Sequence, residues 1–405
     1  MKRIIFALTL ILTISLSDYY RPETVEAIPS PNDLVVHEWG TFTSIAGRNG
    51  TAVDWRPLDG ASDLPKFVYN IADGDGFRKT YETRRKGKTR TLAKVRMETP
   101  VIYFYTKNEM EVSVNVGFPG GKITEWYPQA SIVNTNAGYY QTSSFGNGIN
   151  WGTIKLLPNE KPNFLREVSY SHYYPARETD AVALQVCNAD KTKIETEKFL
   201  FYRGIGDFGL PLNVKIDGKN LTLKDNGTDE VKNLIIFENR NGRIGFKFLE
   251  TLSKEMTIVR PETNKNLREV LLELEKILIS EGLYAKEAKA MIETWKDSWF
   301  EEGLRVFYVL TRKSTDKILP LKVEPQPKET VRVMVGRAEV ITPEMEQDVK
   351  REVGLLRSTS AKVRRQARGN LQKHGRFYEP ILKSILQTES NATVRRQIQK
   401  LIKTD

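Results

Sequence analysis

Only one cysteine, Cys187, occurs in 405 residues. A single thiol excludes an internal disulfide and any cysteine-based metal cluster, so stability must come from core burial. Within "AVALQVC" it reads as a small, buried strand residue. Histidine is almost as scarce, with only His37, His172 and His374. "HEWGT" has Thr41 where a zinc-binding H-E-x-x-H helix needs its second His, so no metal is expected. Neither a G-x-x-x-x-G-K-[ST] loop nor a G-x-S-x-G elbow is present. "GIGDFG" at 204–209 satisfies G-x-G-x-x-G, but Leu210-Pro211 leads into a hairpin-like "LNVKIDGKNLTLKD" where a dinucleotide fold needs a helix. No cofactor is expected.

A long apolar run is also missing. The stretch from Ile4 to Ser17 is 14 residues, short of the roughly 20 that span a bilayer as a helix. It follows Lys2 and Arg3, the order of a secretory signal, with cleavage after Ser17 or Ala27. The reading is an exported protein, periplasmic or extracellular, with no transmembrane segment once the signal is removed.

What the chain does have is apolar content of 40%, enough for a real core, and an uneven charge. From Lys350 onward there are 14 Lys and Arg against 4 Asp and Glu, whereas the first 349 residues carry 48 against 47. A second basic cluster lies at 78–96. Such clusters are solvated faces or contacts to anionic surfaces, and export makes nucleic acid the weakest of the possible partners.

The basic end repeats itself. "SAKVRRQARGNL" at 360–371 and "NATVRRQIQKLI" at 391–402 share Val-Arg-Arg-Gln, 31 residues apart. Phe377, Ile381, Leu382, Ile385 and Leu386 mark a helix face between them, and Thr342-Pro343-Glu344 opens an earlier helix. The pattern resembles HEAT-type helical repeats. A piece this short must dock on the body to bury its apolar side. Arg364, Arg365, Arg395 and Arg396 are its candidate binding charges.

Upstream, Leu267, Val270, Leu271, Leu274, Ile277 and Leu278 predict a helix starting at Asn266 and ending at Gly282. Ala288, Met291, Ile292, Trp295 and Trp299 form the stripe of a second. Residues 28–255 read as β-rich, with turns at Lys107-Asn108-Glu109 and Pro119-Gly120-Gly121. The expected fold is α+β: a sandwich-like β body at 28–341 with an embedded helical pair at 265–300, then a basic helical tail at 342–405, after a signal at 1–27.

Thr99-Pro100-Val101-Ile102-Tyr103-Phe104-Tyr105 and Ile123-Thr124-Glu125-Trp126-Tyr127-Pro128 resemble an extracellular β-domain of bacterial proteins. Its hallmark is a Lys-Pro-Val-Ile-Tyr-Leu-Tyr-Pro strand followed by a Leu-Thr-x-x-Tyr-Pro strand. Thr99 and Thr106 depart from it. From "HEWGTFTS" through "TWKDSWFEEGLRVFYVL" to the tail, the chain looks like a group of exported bacterial proteins. Neither resemblance implies a reaction.

Two functions compete. The first is an envelope-associated binding or scaffold protein, non-catalytic, whose partner is an envelope protein or an anionic envelope polymer. The second is a glycan hydrolase using carboxylates such as Glu38 or Glu125, with His37 as a further acid/base candidate. Both glutamates stand beside a tryptophan, and Trp39, Trp126 and Tyr127 are the candidate sugar-stacking residues. In a strand, His37 and Glu38 point to opposite faces and cannot act as a pair. The competing reading makes these aromatics core, with each Glu on a wet face.

Overall fold

A computed structural model describes residues 33–59, 63–71, 91–134, 141–142, 146–187, 193–227 and 229–404. The expected signal segment and most of the 78–96 cluster lie outside them.

The fold is α+β and β-rich. β1 (Val35–Ala46) is a 12-residue run of β-branched and aromatic residues, almost wholly buried. It lies mid-sheet between β3 (Val95–Tyr105) and β19 (Glu329–Val340). It pairs parallel with β19, although the two are nearly 300 residues apart in sequence, and antiparallel with β3. Beyond β3 come β11 (Leu200–Gly206), β5 (Gly121–Tyr127) and β2 (Tyr69–Asn70). Beyond β19 come β17 (Gly303–Val309), β14 (Val231–Arg240) and β15 (Arg243–Leu252), completing a mixed nine-stranded sheet.

Both faces of this sheet are covered. On one, Val36, Phe42, Met97, Ile102, Phe104 and Tyr202 pack against two further sheets. The larger contains β4 (Met110–Gly117), β6 (Ser131–Asn134), β7 (Gln141–Thr142), β8 (Gly148–Leu157), β9 (Ala183–Cys187), β10 (Ile194–Glu197) and β18 (Leu321–Glu324). The smaller is β12 (Leu212–Asp217), β13 (Asn220–Asp225) and β16 (Glu255–Val259). On the other face, Trp39, Val101, Tyr103, Phe201, Phe237 and Val333 meet the helical pair, α1 (Leu267–Ser280) and α2 (Ala285–Trp299). Asn266 and Glu269 close a reciprocal capping box at the start of α1, as its composition predicts. The whole expected stripe of α2 is buried.

Two expectations need correction. The turns at 107–109 and 119–121 exist, but they do not close hairpins. β4 leaves the main sheet to pair with β8, while β3 and β5 stay in it. Both are crossovers between sandwich layers. Cys187 is exposed, because the period of two along β9 buries Leu184 and Val186 and turns residue 187 outward.

In "GIGDFG" the first two glycines serve packing. A Cβ on Gly204 would lie 2.5 Å from the Lys122 carbonyl, and one on Gly206 would lie 2.7 Å from that of Gly120. The chain then continues into the β12–β13 hairpin.

After α3 (Arg312–Ile318) and β19, the chain ends in four helices: α4 (Pro343–Leu355), α5 (Ala361–Gln372), α6 (Tyr378–Thr388) and α7 (Ala392–Thr404). Thr342 caps α4 by accepting from Met345 N, 3.3 Å. Their apolar faces (Val349, Val353, Leu371, Phe377, Ile381, Ile398) close over Ile45, Trp55 and Ile341 of the body. From Pro343 to the last residue the sequence has 14 basic and 7 acidic groups, because α4 opens with Glu344, Glu346 and Asp348. Their excess is thus +7, smaller than the cut at Lys350 suggests.

Candidate functional site

The sequence-derived candidates go to separate places. His37 and Glu38 do point to opposite faces. His37 turns toward the helices and donates from Nδ1 to Glu287 Oε2 at 2.7 Å, and Tyr105 Oη donates to Glu287 Oε1 at 2.8 Å. Glu38 turns toward the second sheet layer. Arg332, its neighbour on β19, donates to Glu38 Oε2 at 2.5 Å, and Tyr202 Oη to Oε1 at 2.5 Å. Glu38 is fully enclosed, on a face expected to be wet, because a sheet covered on both sides has no wet face here.

Trp39 and Tyr127 are core residues of the helix-covered face. Trp126 is half-buried and stacked at 6.2 Å on Tyr69, and Glu125 is buried, accepting from Thr124 Oγ1 at 2.5 Å. Trp39 and Tyr127 therefore present no stacking surface to solvent. In the tail, the first Arg of each repeat is tied back. Arg364 donates to the carbonyls of Ser358 and Thr359 (2.7 and 2.8 Å), and Arg395 to those of Leu386 and Glu389 (2.5 and 2.9 Å). Each guanidinium thereby satisfies carbonyls at or just past the end of the preceding helix. Arg365 and Arg396 are the exposed pair.

The structure gathers a polar site that sequence reasoning did not name. Along β3, Met97 and Ile102 share one face although five residues apart, so the strand gains a residue between them. The register shows where: Trp39 faces Val101 and Thr41 faces Glu98, leaving Gly40 opposite both Thr99 and Pro100. This is a β-bulge. A Cβ on Gly40 would lie 2.9 Å from Pro100 Cα, and Thr99 takes φ +48, an outlier for a β-branched residue. β11 breaks register at the same level, between Phe201 and Gly204. Arg203 there grips Asp63 with both terminal nitrogens, 2.7 and 2.9 Å. Burial favours the neutral Asp63, but the Arg203 charge outweighs it and holds the carboxyl well below its usual range.

The bulge keeps Arg96 and Glu98 on the helix-covered side, beyond the aromatic core. Thr43 Oγ1 donates to Glu98 Oε2 at 2.9 Å, and Arg96 Nε lies 3.4 Å from Oε1. These three residues line a cleft of about 630 Å³ between body and tail. Its other walls are Trp55, Arg56 and Asp59, and on the tail side Gln372, Gly375, Arg376, Tyr378, Glu379 and Ile402. Glu379 accepts from Arg56 Nε at 2.5 Å and pairs with Lys383 at 2.8 Å. Burial raises its pKa, yet these two cations bring it below the ordinary value.

Deeper, Glu339 of β19 is fully buried among Arg305 (3.2 Å), Arg376 (2.9 Å) and Arg337. Burial alone would raise its pKa, but the three guanidiniums bring it down to about 2. One signal for this site was legible. Pro100 sits inside a central strand, and proline is tolerated there only at a bulge.

Thr99→Gly is expected to be neutral or to raise the unfolding free energy, measured by urea denaturation, by up to about 1 kcal/mol. Relief of left-handed strain, about 1–2 kcal/mol, exceeds the entropy added to the unfolded chain. A loss above about 1 kcal/mol would show that the threonine side chain, 3.5 Å from Arg203 Nη2, matters more than the strain.

No family model matches the chain, and no curated protein does. Among solved structures it is similar to the yeast delta-COP-I mu-homology domain, alone and complexed with a Dsl1 WxWxV peptide. Each match has a TM-score of 0.28 and 9% identity, covering 78% of this chain and all of that one. A likeness at that score says nothing about what this chain binds.

Proposed function

We propose that the chain is an exported, envelope-associated binding or scaffold protein, and that it meets an anionic envelope component through the cationic faces of its last helices. The observation that supports this is the division of labour among the arginines. Arg364 and Arg395 hold helix ends, whereas Lys362, Arg365, Arg368, Lys373 and Arg396 stand exposed on α5 and α7 and in the turn after α5. Exposed cations of this kind attract anionic surfaces and cost little to leave solvated. Against acid/base catalysis stands the enclosure of His37, Glu38 and Glu125, since a general acid or base must reach the proton that it transfers.

Deleting the tail is the wrong test, because it would strip Ile45, Trp55 and Ile341 of their cover. Charge reversal at Arg365, Arg368 and Arg396 leaves that packing intact. The wild-type chain is expected to bind phosphatidylglycerol-containing vesicles or soluble polyphosphate at low salt. Binding should fade as the Debye length falls from about 30 Å at 0.01 M to about 8 Å at 0.15 M. At about 1 kcal/mol per cation near an anionic surface, the triple Glu variant should bind on the order of 100-fold more weakly. Equal binding by the variant, or binding to neither probe, would refute the reading.

A further inference from the structure

We infer that the cleft between the body and the helical tail is a binding site for a neutral, polyhydroxylated ligand, a short saccharide. Its volume of about 630 Å³ lies within the roughly 300–1,000 Å³ of small-ligand pockets. The charged groups that line it are three guanidiniums (Arg56, Arg96, Arg376) and three carboxylates (Asp59, Glu98, Glu379). A polyanion would meet as much repulsion as attraction there, and so would a polycation. An apolar ligand would strip water from six charges without replacing its hydrogen bonds.

A saccharide hydroxyl both donates and accepts, so it can use either kind of group. Two of the carboxylates, Glu98 and Glu379, keep capacity for it. Glu98 receives one hydroxyl bond and one distant guanidinium, and Glu379 receives Arg56 and Lys383, while a carboxylate offers about four acceptor positions. Those same pairs fix the side chains before a ligand arrives, which lowers the entropy cost of binding. Thr43 and Gln372 add neutral hydrogen-bonding groups, and Tyr378 adds an aromatic ring at the wall. The bulge at Thr99 builds the floor, since without it Glu98 and Val101 could not both face this side.

The site is separate from the exposed cations of α5 and α7, so the two readings fail independently. The test is calorimetric titration of the full mature chain with N-acetylglucosamine oligomers, maltooligosaccharides and galactooligosaccharides. Saturable binding of at least one series is expected, unchanged between low and high salt. Gln372→Trp, which fills the cleft from an exposed position on α5, should remove it while leaving the melting temperature and vesicle binding unchanged. Glu98→Gln should weaken it at least tenfold. Binding of none of the three series would overturn the inference. So would binding that survives Gln372→Trp, or capture of phosphorylated or sulfated sugars alone with steep salt dependence.

Discussion

Glu339→Gln is expected to destabilise the protein by about 3–5 kcal/mol, the cost of breaking a buried ion pair from one side. The glutamate neutralises a knot of positive charge. Arg305 and Arg337 come from strands β17 and β19, and Arg376 from the turn that opens α6. Without Glu339, three guanidiniums would face one another with Glu301, itself 41% exposed, as the remaining ion-pair partner of Arg337 and Arg376 among the described residues. Arg305 already feels the crowding. Burial first, then Arg337 and Arg376, push its pKa down to about 10 despite Glu339. Because Arg376 belongs to the tail and Glu339 to the body, the expected result has two parts. The urea midpoint falls, and limited proteolysis cuts the last four helices faster than in the wild type. A variant with an unchanged midpoint would mean that Glu301 and water suffice.

The same residue predicts an acid dependence. The folded-state pKa of Glu339 is brought from 4.5 down to about 2. Its stabilisation is therefore complete above about pH 4.5 and is lost as pH falls toward 2. Asp63 and Glu379 are shifted in the same direction, so the wild type should lose stability throughout this window. The Gln variant should show a shallower slope there, and equal slopes would remove Glu339 from the account.

Glu38→Gln is the second large effect, also about 3–5 kcal/mol. Among the described residues it leaves Arg332 buried with only Asp316, 2.7 Å away and 45% exposed, as a charged partner, and it weakens the bond that Tyr202 donates. Replacing both members, Glu38→Met with Arg332→Leu, should recover much of the loss, because the cost lies in the stranded charge. The experiment also separates the two functional readings. A catalytic glutamate would lose turnover on glycans with its fold intact, whereas a structural one loses stability first. A Glu38→Gln protein as stable as wild type would reopen the hydrolase.

Local signals in the sequence carried far. Asn266, Gly282 and the stripe from Ala288 to Trp299 gave the helical pair, since capping and a 3.6-residue period are properties of neighbouring residues. The opposite faces of His37 and Glu38 follow from the period of two, and the hairpin in place of a helix after "GIGDFG" from Leu210-Pro211 and the "LNVKIDGKNLTLKD" pattern. The failures share a different cause. Cys187 faces out, β4 changes sheet, and the face of Glu38 is covered. Each depends on which layer the strand joins, and a strand's own pattern does not say what packs above it.

By itself, then, the sequence determined the kinds of elements, their ends, the basic bias of the tail and the exclusion of disulfide and zinc-motif chemistry, because all of these are written in composition and short-range spacing. Only the tertiary structure decided what the charged residues do. It brought Glu98, Arg56 and Arg376 to one cleft across more than 300 residues of chain, set β1 beside β19, and gave Arg364 and Arg395 to helix ends while leaving Arg365 and Arg396 in water. The reason is physical: whether a charge serves as a binding group or as a structural clamp depends on burial and partners, and both are created by folding.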